Sequence, residues 1–173
     1  MVGLEIEFQA DLRNIFDTFK SIPFLFVNEI HNKEDYLDKV VFKPEPTVNG
    51  YELNICSNNV YLRQVLDGLK RIATITDKCA LHIHIPIQDI NYSLIDIYNK
   101  YAELEDTIIK EAQDNNMYLD LNESITSKSN TRKKNLNLLS LKHHHTIEHR
   151  IYKATFDLNK IKYAINQTTS ILK

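Results

Sequence analysis

"VGLEIEF", residues 2–8, alternates apolar Val2, Leu4, Ile6 and Phe8 with Gly3, Glu5 and Glu7. A period of two marks a strand with one face turned to a core, and it sets both glutamates on the opposite face. The same division recurs along the chain. In "YELNIC" (51–56) Glu52, Asn54 and Cys56 oppose Tyr51, Leu53 and Ile55; in "LHIHI" (81–85) His82 and His84 oppose Leu81, Ile83 and Ile85. In "TIEHRIY" (146–152) Glu148 and Arg150 oppose Ile147 and Ile151. If helices cover the apolar faces, the other face gathers four glutamates, two histidines and an arginine from strands far apart in the chain.

The intervening segments supply those helices. "ADLRNIFDTFKSI" (10–22) carries Leu12, Ile15, Phe16 and Phe19 at helical spacing, and residues 59–73 carry Val60, Leu62, Val65, Leu66, Leu69 and Ile72. Ser93 is a plausible N-cap for a long helix to about Ala112, and Asp157 for one running to about Leu172. "FLFVNEI" (24–30) and "KVVFKPEP" (39–46) read as further strands, the second stopped by Pro44 and Pro46. Asn49-Gly50 offers a tight hairpin turn into residues 51–56, which implies antiparallel neighbours. "NLNLLSLKHH" (135–144) and "TIEHRIYKA" (146–154) form a last strand pair, and the polar residues 114–134 suit a loop over a site. The expectation is an α+β fold, an antiparallel sheet with helices packed on one face, in a single domain over residues 1–173.

Charge excludes some partners. With 21 basic and 23 acidic residues, the net charge of -2 provides no global field toward nucleic acid or anionic lipid. No run approaches the roughly 18 apolar residues of a membrane span, and no leader-like basic-then-apolar stretch opens the chain. Cys56 and Cys79, the only cysteines, read as free thiols in a reducing, cytoplasmic setting. Partners are therefore expected at a local site, without nucleic acid or membrane, and exposed sheet edges leave room for a homo-oligomer, the oligomeric state being open from sequence.

Carboxylates crowded within a few ångströms repel one another unless a cation neutralises them, so the shared face suggests bound divalent metal. Carboxylate oxygens suit Mg²⁺, and an imidazole among them admits Mn²⁺. The plainer alternative is a solvated sheet face decorated with surface ion pairs. Cys56 shares the Glu52 face and reads as a small buried apolar group, while His143, His144 and His145 read as an exposed strand-end cluster outside the site.

In order, "GLEIEF", "GYELNIC", "CALHIHI", "RKKNLNL" and "TIEHRIYKATFD" resemble the motifs of the amidoligase family, over residues 2 to about 157. These are ATP-dependent carboxylate-amine ligases similar in fold to glutamine synthetase and glutamate-cysteine ligase. The resemblance implies a curved antiparallel sheet with the active site on its open face. It implies metal ligation by Glu5 and Glu7 on different ions, completed by Glu52, His82 and Glu148. By the same resemblance His84 lies near the nucleotide phosphates, Arg150 contacts the transferring phosphoryl group, and Arg132 matches the arginine before the strand of Asn137. Glu45, in "PEPT", stands roughly where many relatives have an acidic residue. Ala80 replaces the glycine usual before the first histidine strand, and His149 replaces an aromatic apolar residue.

The implied reaction joins a carboxylate substrate to an amine substrate, either of them a small metabolite, a peptide or a protein side chain. ATP first phosphorylates the carboxylate, and the amine then displaces phosphate. Metals and arginines suit such phosphoryl transfer because its catalysis is mostly positioning and charge neutralisation. Asp120 or Glu123 in the polar loop could relieve the amine of its proton. Three other readings accommodate the same face: a phosphagen-type kinase, a metal-dependent hydrolase or nuclease, and a binding module without turnover.

Overall fold

The computed structural model describes residues 1–28, 38–90, 93, 95–97, 99, 100, 103, 136, 137, 140 and 145–171. The opening alternation forms β1 (Gly3–Ala10), followed by α1 (Leu12–Phe19), β2 (Phe24–Phe26), β3 (Val40–Glu45) and β4 (Gly50–Cys56). Then come α2 (Leu62–Ile72), β5 (Ala73–Thr74), β6 (Ala80–Pro86), β7 (Leu136–Asn137), β8 (Thr146–Lys153) and α3 (Leu158–Ile171). One sheet runs in the order β2-β3-β4-β1-β6-β8-β7, and β5 adds to the far end of β1. This is an α+β fold with a mixed sheet.

Alternation puts Leu4, Ile6, Phe8, Leu53, Ile55, Leu81, Ile83 and Ile147 into the same buried cluster as Ile15 and Phe19 of α1, Val65, Leu66 and Leu69 of α2, and Ile161 and Ala164 of α3. The helices therefore cover the apolar face, as the sequence pattern requires. Local signals set the helix ends. The Asp11 side chain accepts from the backbone N–H of Arg13 at 2.7 Å and starts α1. Asp157 accepts from the N–H groups of Asn159 at 2.8 Å and Lys160 at 3.4 Å, and those bonds hold its carboxyl below the usual range. Ser93 and Asp96 cap each other reciprocally ahead of helical residues 95–97. Gly68 has room for no side chain, because a Cβ there would strike the Phe19 ring through which α1 packs on α2.

Five features depart from the sequence expectation, one of them the strand read over 135–144, of which, among the described residues, β7 takes only Leu136–Asn137 while Ser140 is helical. Strand β2 lies parallel to β3, Phe24 opposite Val40 and Phe26 opposite Phe42, so the sheet is not antiparallel throughout. Pro44 does not stop β3; it sits opposite Tyr51 in the β4 ladder, beyond the part of β3 that β2 pairs, where a missing N–H costs no ladder bond on that side. The β3–β4 connection is not a two-residue hairpin, for Pro46–Val48 form a short 3₁₀ turn closed by Asn49 at φ 52°. Val60 is 86% exposed and lies outside α2. The polar segment 114–134, most of the expected 93–112 helix, His143 and His144 lie outside the described residues. Among the described residues no helix is long and apolar enough to cross a membrane.

Candidate metal centre

Strand β1 sits between β4 and β6, so Glu5 has Asn54 on one side and His82 on the other, while Glu7 faces Glu52. Strand β8 adds Glu148 opposite His84. Between Leu81 and Ile83 the β6/β8 register shifts: two steps on β6 span three on β8, from Tyr152 to His149. Such a bulge re-aims side chains, and it falls where Arg150 meets the cluster. All four glutamates and both histidines are buried on the face opposite the helices, none more than 7% exposed.

The donors converge. His82 Nδ1 lies 3.1 Å from Glu5 Oε2 and 3.4 Å from Glu148 Oε1, and its Nε2 lies 3.8 Å from Glu7 Oε1. His84 Nε2 lies 3.0 Å from Glu5 Oε1 and 3.9 Å from Glu148 Oε1. Two ligand sets emerge, Glu5–His82–Glu148 and Glu7–Glu52–His82, each with donor atoms within 4.8 Å of one another. Such sets can hold a metal ion, and oxygens with one borderline nitrogen suit Mg²⁺ or Mn²⁺.

Surrounding groups fix these carboxylates. The backbone N–H of Ala80 donates to Glu7 Oε2 at 2.9 Å, and Asn54 Nδ2 donates to Glu52 Oε1 at 2.7 Å. Arg150 Nε donates to Glu148 Oε1 at 2.6 Å, and Lys43 Nζ lies 3.2 Å from Glu52 Oε1. On the far side of His84, Nδ1 meets Thr146 Oγ1 at 3.0 Å, which in turn meets Ser140 Oγ at 2.8 Å. That hydroxyl pair orients the ring with Nε2 toward Glu5.

Among the described residues two permanent cations, Lys43 and Arg150, face four buried carboxylates, and the protonation equilibria register the imbalance. Burial and the neighbouring Glu5 push Glu52 up to about 7, against Lys43, His82 and the Asn54 bond. Burial also raises Glu7, partly offset by His82. Glu148 stays below the usual range: burial and Glu5 push upward, but His84, His82 and Arg150 outweigh them. For His82, burial opposes the charged ring, yet the hydrogen bond to Glu5 and the charge of Glu148 carry its pKa upward. The upward shift favours the protonated His82 ring, whose charge would stand in for part of what a metal ion brings.

Of the residues singled out from sequence, Glu5, Glu7, Glu52, His82, His84, Glu148 and Arg150 meet on this one face. Asn137 stands opposite Glu148 at the β7 edge, whereas Arg132, Asp120 and Glu123 lie outside the described residues. Glu45 spends its Oε1 on Thr47, accepting from Oγ1 at 2.6 Å and from N–H at 3.2 Å. His149 is buried on the core face opposite Ile83, and burial together with the charge of His84 lowers its pKa to about 3. Both cysteines are free and buried, and His145 is exposed.

Sequence reasoning passed over Lys43, Thr146 and Ser140. Alternation points to the first two, since Lys43 lies on the face opposite Val40 and Phe42, and Thr146 shares a face with Glu148; Ser140 carries no such signal. Comparison with protein-family models, curated proteins and solved structures finds no match. Fold and site define an α+β protein with a buried Glu/His cluster that can hold a metal ion.

Proposed function

We propose that this protein is a metal- and ATP-dependent carboxylate-amine ligase of the amidoligase kind, built on a glutamine synthetase-like sheet. The observation that carries this reading is the convergence of Glu5, Glu7, Glu52, His82 and Glu148 as two donor sets sharing His82, with Arg150 at their edge. A solvated sheet face would leave these side chains in water, and they are buried instead. In this reading Glu5 and Glu148 hold one divalent ion, Glu7 and Glu52 the other, and His82 completes one of the sets.

The ions, Mg²⁺ or Mn²⁺, supply charge neutralisation for phosphoryl transfer. The chain's own groups do the rest. Arg150, tethered by Glu148, presents its remaining guanidinium N–H groups to the moving phosphoryl, and His84 Nε2 offers a donor beside Glu5. Thr146 and Ser140 keep that imidazole from turning. One oxygen of the substrate carboxylate attacks the γ-phosphorus of ATP; ADP leaves and an acyl phosphate forms. The amine then attacks the acyl carbon, the carbon-oxygen bond to phosphate breaks, and amide, phosphate and a proton are released.

The test supplies purified protein with ATP, Mn²⁺, candidate carboxylates and hydroxylamine. A hydroxamate formed with stoichiometric ADP supports the ligase. A stable phosphorylated product would favour the phosphagen-type kinase, turnover without ATP a hydrolase, and ATP binding without ADP release a binding module.

A further inference from the structure

We propose that Lys43 is a polyphosphate-binding residue of this site, an ammonium that leaves Glu52 for a phosphate oxygen once divalent ions occupy the carboxylates. The inference rests on the metal reading above and assigns a residue which that reading does not use.

Lys43 lies opposite Glu52 in the β3/β4 ladder, and its side chain is 24% exposed against 3% for Glu52. Arg150, on β8, is 27% exposed. In the strand order β3-β4-β1-β6-β8 these two cations, Lys43 and Arg150, therefore stand at opposite rims, and the carboxylates and imidazoles lie between and below them.

That placement is costly for a metal site alone. A fixed ammonium 3.2 Å from a ligand oxygen competes with the ion for the carboxylate and repels it through a poorly screened interior. Nor does Glu52 depend on the lysine for a donor, because Asn54 holds the same oxygen at 2.7 Å. The arrangement makes sense when an anion follows the metal. Two divalent ions among four carboxylates, with Lys43 and Arg150 added, turn the pocket net positive, and a chain of phosphates spanning the ions meets a cation at each rim. The backbone of β3 is held by Val40 and Phe42 in the core, whereas the lysine's four-carbon stem lets Nζ move without it.

The test uses Mn²⁺ alone and inorganic tripolyphosphate as probes, on the wild type, Lys43→Met and Lys43→Arg, at pH 8. Electron paramagnetic resonance counts free Mn²⁺, and calorimetry follows tripolyphosphate binding to Mn²⁺-loaded protein. In Lys43→Met, Mn²⁺ should bind about fivefold tighter because a competing charge is gone. Tripolyphosphate should bind at least about tenfold weaker, and Lys43→Arg should restore most of that loss. A merely structural lysine would weaken both or neither. Tripolyphosphate affinity within about twofold of wild type in Lys43→Met, or Mn²⁺ affinity falling alongside it, overturns the assignment while leaving the metal site standing. If the wild type takes up no Mn²⁺, the metal reading fails first and Lys43 loses its role with it. Should Lys43→Met fail to fold, Lys43→Gln with a matched thermal midpoint replaces it.

Discussion

Ile6 and Glu7 are neighbours on β1 and nearly equal in burial, 0% and 7% exposed, yet they face opposite worlds. Ile6 joins a cluster of aliphatic and aromatic side chains under three helices, where removing apolar area from water supplies the driving force. Glu7 joins carboxylates whose burial opposes folding unless something positive accompanies them. One face holds the protein together and the other is held in place by it. Burying charge against the stability of the fold is the pattern that makes the second face a candidate site.

The largest effects should come from breaking the first face. Phe42 is fully buried and its ring lies 5.3 Å from that of Phe19 and 6.2 Å from that of Phe8. Phe42→Ala should cost about 3–5 kcal/mol in urea unfolding. A change on the polar face should do the reverse: Glu52→Gln keeps an oxygen for Asn54, removes a buried charge, and should leave the urea midpoint of the metal-free protein unchanged or higher at pH 8. The same Glu52→Gln protein should lose Mn²⁺ affinity by roughly a hundredfold, measured by calorimetry. A Glu52→Gln protein as unstable as Phe42→Ala would show that the two faces do not differ in kind.

Acidity separates the faces more finely, through linkage. The Glu52 carboxyl is raised from its ordinary 4.5 to about 7 in the fold, so its contribution is most favourable below 4.5 and is lost as pH rises through 7. His149 runs the other way: lowered from 6.5 to about 3, it contributes fully above 6.5 and loses that contribution progressively as pH falls toward 3. Between about pH 4.5 and 6.5 the two slopes oppose each other, so thermal midpoints of the metal-free protein should decline only from about pH 6.5 to 7, where Glu52 alone still titrates. Glu52→Gln, or added Mn²⁺, should flatten that limb; His149→Phe should flatten the acid limb instead. The smallest expected effect is at the orienting hydroxyls. Thr146→Val should shift Mn²⁺ affinity by only about threefold, and Thr146→Ser should restore it.

Much of this division was legible from alternation. Glu5, Glu7, Glu52, His82, His84, Glu148 and Arg150 sort onto one face because a strand has only two, and each apolar neighbour declares which one the core takes. The caps read at Ser93 and Asp157 are likewise local chemistry, whereas the cap at Asp11 was passed over. Alternation does not encode which strand lies beside which, or in what direction, since those depend on how the connections run; hence the parallel β2–β3 pair was missed. Nor does it reveal that β3 continues through Pro44, which depends on where β2 ends. The bulge beside His82 and the Ala80 N–H that fixes Glu7 are properties of paired strands, invisible in either strand alone.

The central claim, that the polar face cages divalent cations, is tested most directly by anomalous diffraction from crystals soaked in Mn²⁺. The account predicts peaks with oxygens of Glu5 and Glu148, and of Glu7 and Glu52, at about 2.0–2.3 Å, with His82 drawn from its glutamate hydrogen bond onto an ion. Soaked crystals in which His82 still bridges Glu5 and Glu148, and the anomalous signal lies elsewhere on the surface, would contradict it.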